Sequence, residues 1–147
     1  MKFTCKVDIN APRDKVVAMW NDEKNLSKWQ EGFLRYEHLK GEILAVGSQG
    51  KLFYKQGKNE FELLETILIS NLPEEMKGKY DHIKMSNTMH NKFTVLPNNG
   101  TRWQAEIEYG EMRGFMMNFF KLVMPSMFKK QTQKWLDNFK NFVEESI

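Results

Sequence analysis

The chain has 147 residues, enough for one domain with a sizeable core. Hydrophobic residues make up 41% and charged residues 28%, an ordinary globular composition that excludes a disordered chain. A net charge of +3 is too weak to argue for nucleic acid, and a single cysteine excludes both an intramolecular disulfide and a zinc site built on several thiolates.

Phe3, Cys5, Val7 and Ile9 alternate with Lys2, Thr4, Lys6 and Asp8, which predicts a first strand with one dry face. Cys5 falls on that face and reads as a buried, inert thiol. The strand pattern begins at the N-terminus without a basic-then-apolar leader, so a cytoplasmic location is the expectation. Pro12 suits the first position of a helix, Asp14 suits its positive end, and Val16, Val17, Met19 and Trp20 give a short apolar face. Asn21-Asp22 breaks this helix, and Leu26 and Trp29 suggest a second short one.

From Gly32 to Tyr109 the texture is that of strands. The candidates run Phe33–Leu39, Lys51–Lys55, Phe61–Ser70, Met76–Met85, Thr88–Leu96 and Thr101–Tyr109. Gly41, Gly47-Ser48-Gln49-Gly50, Gln56–Asn59, Asn71–Glu75 and Pro97-Asn98-Asn99-Gly100 punctuate them as turns, the last strongly, because Asn-Gly tolerates positive φ. Short turns imply antiparallel neighbours. The cleanest alternation puts Trp103, Ala105, Ile107 and Tyr109 on one face.

The last quarter, Arg113 to Ile147, opens apolar almost all round. It then settles into a stripe of Phe128, Trp135, Leu136, Phe139, Phe142 and Val143 at helical spacing. As one straight helix it would run about 50 Å, longer than a small domain, so a kink or break is expected at Pro125. Its apolar block is interrupted by Asn118, Lys121 and Pro125 and is too short to insert stably in a membrane. The resulting order is strand, two short helices, about six strands and one long helix. A one-faced antiparallel sheet of this kind buries its dry face by curving around the helix.

Ile9-Asn10-Ala11-Pro12-Arg13-Asp14-Lys15-Val16, followed by Asn21-Asp22 and Trp29, resembles the I-x-A-P-x-x-x-V opening of the START-like (SRPBCC) superfamily. That superfamily includes Bet v 1-like, polyketide cyclase/dehydrase-like and lipid-transport-like proteins. The turn Val46-Gly47-Ser48-Gln49-Gly50 and the stretch from Leu96 to Trp103 are similar to its hairpins. The resemblance covers the whole chain in element order. It implies an α+β helix-grip fold: a curved seven-stranded antiparallel sheet wrapped around a long C-terminal helix, with a cavity between them. It carries no shared catalytic residues.

Methionines fill irregular gaps and also repack around guests, so those on the last helix fit either a plain core or an adaptable pocket. The residues expected at such a pocket are Tyr54, Tyr80, His82, Trp103, Met116, Phe119, Phe120, Val123 and Met127. Tyr80 and His82 share one face of a strand with Asp81 on the other, and with that face inward they form an acid/base pair of the kind an aldol-type cyclase would use; an outward-facing His82 would end that idea. No nucleophile motif or phosphate loop appears, and no two histidines have the spacing of a metal site on one helix.

The reading is a non-catalytic binding protein for a small hydrophobic molecule, without cofactor or metal. The alternatives are a cyclase/dehydrase-type enzyme acting on an apolar substrate and a protein-binding module with a filled core. The sequence leaves the oligomeric state open, a homodimer included.

Overall fold

The alternating segments form seven strands. The computed structural model describes residues 2–83, 85–112 and 125–147. In chain order come β1 (Lys2–Ile9), α1 (Arg13–Trp20), a 3-10 turn (Glu23–Asn25), α2 (Leu26–Trp29), β2 (Phe33–Lys40), β3 (Gln49–Gln56), β4 (Asn59–Asn71), β5 (Glu75–His82), β6 (Met85–Val95), β7 (Thr101–Met112) and α3 (Pro125–Glu145). The strands make one antiparallel sheet in the order β1-β7-β6-β5-β4-β3-β2. Five of the six neighbouring pairs are hairpins; β1 crosses to pair with β7, with Ile9 opposite Thr101 and Phe3 opposite Ile107.

Local chemistry sets the boundaries. Pro12 stands one position earlier than expected: it is extended and caps α1, accepting from Val16 N at 3.0 Å, so Arg13 is the first helical residue. Asp22 caps the 3-10 turn, its carboxylate accepting from Lys24 N at 3.0 Å. In the turn before β7, Asn99 takes φ 63°, Leu96 N donates to Gly100 O at 2.8 Å, and the Asn98 side chain accepts from Gly100 N at 3.0 Å. Several strand boundaries differ from expectation by one to three residues. Gln49 and Gly50 belong to β3, not to the turn before it, and β5 stops at His82 where a run to Met85 was expected. His82 pairs with Met85, so β6 starts three residues earlier than the sequence suggests.

The core lies where α3 meets β1, β7, α1 and α2. Trp103, Leu136, Phe139, Val143 and Val16 are fully buried. Phe139 is clamped edge-on between Trp29 and Trp103, at ring distances of 5.3 and 5.2 Å. Polar contacts fasten α3 to the edge strand: Gln133 donates to Lys6 O, Lys140 to Asp8 O, and Glu144 accepts from Asn10 N at 2.8 Å. Buried Cys5 contacts Lys129 O through its sulfur at 3.6 Å, and burial pushes its thiol pKa up. The expected break before Pro125 falls on residues outside the described ones. No helix among the described residues is long and apolar enough to cross a membrane.

Candidate functional site

The far half of α3 seals the core; its first half faces β3–β6 across open space. That space is a cavity of about 1240 Å³. Met127, Phe128, Gln131, Thr132 and Trp135 of α3 form one side, and the inward residues of the sheet form the other. Tyr54, Tyr80, His82, Trp103 and Met127 all line it. The other four expected residues, Met116, Phe119, Phe120 and Val123, lie outside the described residues.

The cavity wall is banded. Antiparallel register puts directly opposed residues on the same face, so rows of side chains run across the strands. One row is Ile67, Gly78, Met89 and Ile107, almost wholly apolar. The adjacent row is Glu65, Tyr80, Asn87 and Tyr109, polar on every strand from β4 to β7. Leu52 and Leu63 pair on β3 and β4 beyond it, and His82 pairs with Met85 on β5 and β6. A single polar belt therefore crosses an otherwise greasy wall.

One glycine extends that belt and another borders it. Gly50 stands opposite Glu65 on β3, and a Cβ there would fall on the Tyr36 ring from β2. A Cβ on Gly78 would come within 2.7 Å of the Tyr80 hydroxyl. Each bare glycine thus gives a tyrosine a place to lie flat against the sheet.

The tyrosine protons are committed to protein acceptors. Tyr80 donates to Glu65 Oε2 at 2.9 Å, and Tyr54 donates to Gln30 Oε1 at 2.7 Å. His38 Nε2 meets the Gly41 carbonyl at 2.6 Å, which can only accept; in neutral His38 that leaves Nδ1 to accept from the Tyr36 hydroxyl at 3.3 Å. The protein thus supplies the partners of both the Tyr54 and the Tyr80 hydroxyl. Tyr80 and His82 do share the cavity face, and Asp81 points away into an ion pair with Lys79. The acid beside Tyr80 is nevertheless Glu65, and His82 instead sits edge-on to Phe61 at 6.2 Å.

Electrostatics centre on Glu65. Burial raises its pKa above the usual carboxylate range, with the Tyr80 hydrogen bond pulling the other way. Burial also raises Tyr54, Tyr36 and Tyr80, and the Glu65 charge beside them adds to each. Tyr109 is pushed up to about 12 by burial, offset in part by its hydrogen bond with Asn87. Deeper in, Trp103 Nε1 donates to Asn91 Oδ1 at 2.9 Å, both side chains buried. Among the described residues no group of His, Cys, Asp and Glu side chains converges to hold a metal ion.

Glu65 was missed by the sequence reading, although it had a signal. Phe61, Leu63, Glu65 and Ile67 are the inward positions of β4, and an acid on an apolar face asks for an explanation. Gln30, Tyr36 and Asn87 had no such mark.

Comparison with solved structures decides the architecture. A conserved protein from Geobacillus kaustophilus superposes with TM-score 0.80 at 13% identity, over 99% of this chain and 97% of that one. A START superfamily protein from Mycobacterium smegmatis gives 0.75 at 11%, over 99% of both chains. The fold is the START-like helix-grip fold. Major latex-like protein 151 from Panax ginseng shares it, with TM-score 0.74 at 12% identity over 97% of this chain and 96% of that one. No protein-family model and no curated protein sequence matches the chain. At such identities, likeness to solved START-like proteins establishes the fold alone.

Proposed function

We propose that this START-like chain binds a small, largely hydrophobic molecule in the cavity between the sheet and α3. The observation that carries the reading is the size and lining of that cavity. At ~24 cal/mol per Å³, a dry void of that volume would cost roughly 30 kcal/mol. A domain of this size has only about 5–15 kcal/mol in hand. The space must therefore exchange with water or hold a guest, and its rows of Leu, Ile, Met and aromatic side chains favour an apolar one.

Native mass spectrometry of the protein purified from its own source tests the proposal. A small molecule should ride with the folded chain and leave on unfolding, and an apolar fluorophore should compete with it and quench Trp103. A bare mass together with no fluorophore uptake would end the reading. The cyclase/dehydrase alternative keeps one observation in its favour, since Tyr80, Glu65 and His82 all line the cavity. It requires turnover of an added apolar substrate that Tyr80→Phe abolishes without loss of binding.

A further inference from the structure

The polar belt constrains the guest further. The hydroxyl protons of Tyr36, Tyr54 and Tyr80 are all directed at protein acceptors. What remains open is acceptor capacity on a carboxyl group. Glu65 takes one hydrogen bond, from Tyr80, and has no ion pair among the described residues. A carboxylate held off water without a cation is costly, and removing that cost is what a bound cation does best.

The surroundings of Glu65 suit a cation with an apolar body. Tyr80 touches it, and Tyr36 and Tyr54 stand close enough to feel its charge. Tyr54 is stacked between Phe61, at 5.4 Å, and Trp135, at 5.9 Å, so its own faces are covered, and the rings that offer a face beside Glu65 are Tyr36 and Tyr80, each lying over a bare glycine. Aromatic faces around a negative group are the arrangement that recognises ammonium ions, which prefer ring faces to bulk apolar contact. The charges lining the rest of the cavity point the same way. Asp22, Glu23, Glu31 and Glu60 join Glu65, against Lys24 and Lys55. Among the described residues, even counting Lys134, which pairs with Glu31 from outside the lining, the carboxylates are in excess on a chain whose net charge is +3. A cavity more acidic than its protein draws cations.

We infer that the guest is a lipophilic amine: an apolar molecule carrying one protonated amine or quaternary ammonium group, with Glu65 as its counter-ion inside the tyrosine cluster. The inference rests on the binding function proposed above and names the ligand class of that same cavity.

Three probes on one skeleton test it: 1-pyrenemethylamine, 1-pyrenemethanol and 1-pyrenecarboxylic acid, titrated by fluorescence at neutral pH. The amine should bind about tenfold tighter than the alcohol, and the acid should bind weakest. In Glu65→Gln the advantage of the amine should vanish while the affinity for the alcohol holds. Binding of the alcohol as tight as that of the amine in the wild-type chain would overturn the inference and leave hydrophobic binding standing. So would an amine preference that survives in Glu65→Gln. Failure of all three probes to bind would overturn both. The wild-type comparison needs no variant, so it decides the matter even if Glu65→Gln does not fold.

Discussion

If α3 is gripped by the sheet, truncating the residue at the centre of the grip should remove a large part of the stability. Phe139→Ala is that perturbation. Phe139 is fully buried, and its ring meets Trp29 at 5.3 Å and Trp103 at 5.2 Å, both edge-on. Withdrawing a buried ring from water is worth about 1.5–3 kcal/mol. Each edge-on aromatic contact adds ~0.5–1.5 kcal/mol. With partial collapse of the space left behind, the expected loss is about 3–5 kcal/mol. That is about a fifth or more of what a domain of this kind has, and it corresponds to a fall in Tm of roughly 10–15 °C.

Urea unfolding followed by far-UV circular dichroism measures it without relying on the tryptophans that Phe139 touches. The slope should stay constant while the midpoint drops by about 2 M, taking a slope near 2 kcal/mol per M. Lys134→Ala is the internal control on the same helix. Its ion pair with Glu31 is 2.7 Å long but more than half exposed on both sides, which makes it worth under ~1 kcal/mol. A Phe139→Ala loss no larger than that of Lys134→Ala would refute the account of α3 as the gripped element.

Two further expectations follow from buried polar groups. Asn91→Ala leaves the buried Trp103 N–H without its acceptor and should cost about 2–3 kcal/mol by the same urea assay; a loss below ~0.5 kcal/mol would mean that the indole finds another partner. Glu65, faced by Tyr36, Tyr54 and Tyr80, has a folded pKa above its unfolded one, so its favourable share is complete below the unfolded pKa and is lost as pH rises through the folded pKa. Glu65→Gln should therefore gain stability relative to wild type between pH 4 and pH 8, as read from the two urea midpoints, and a gap that shrinks over that range would contradict the burial of the charge.

Most of the scaffold could be read from residue order because its elements are strongly patterned. β1 and β7 alternate cleanly, and their inward sets, from Cys5 to Ile9 and from Trp103 to Ile107, are buried as alternation requires. The β6–β7 turn carries Asn-Asn-Gly, and the structure spends a positive φ there. Between β5 and β6 the sequence reads Ile83-Lys84, residue types with no turn chemistry, so nothing marked the boundary. The site was harder for a different reason. Glu65 and Tyr80 are fifteen residues apart and become neighbours only through the β4–β5 register. Gly50 looked like part of a turn but serves as the floor under Tyr36, a role that depends on where β2 crosses β3.

The same geometry explains how a small domain can keep a large cavity. Burial is concentrated at one end, where the last turns of α3 close on β1, β7, α1 and α2, and none of Leu136, Phe139 or Val143 touches the cavity. Stability is supplied there, and the other half of α3 is left to stand off from β3–β6. The two ends share Trp29 and Trp103, which face the cavity on one side and Phe139 on the other. Glu65 is not among their ring contacts, so Phe139→Ala and Glu65→Gln should combine additively in stability, within roughly 0.5 kcal/mol. Phe139→Ala should also leave the ratio of amine to alcohol affinity unchanged at temperatures where the variant is folded. Coupling well beyond that margin would mean that the packed end and the cavity are one cooperative unit, and that the guest helps to hold the fold.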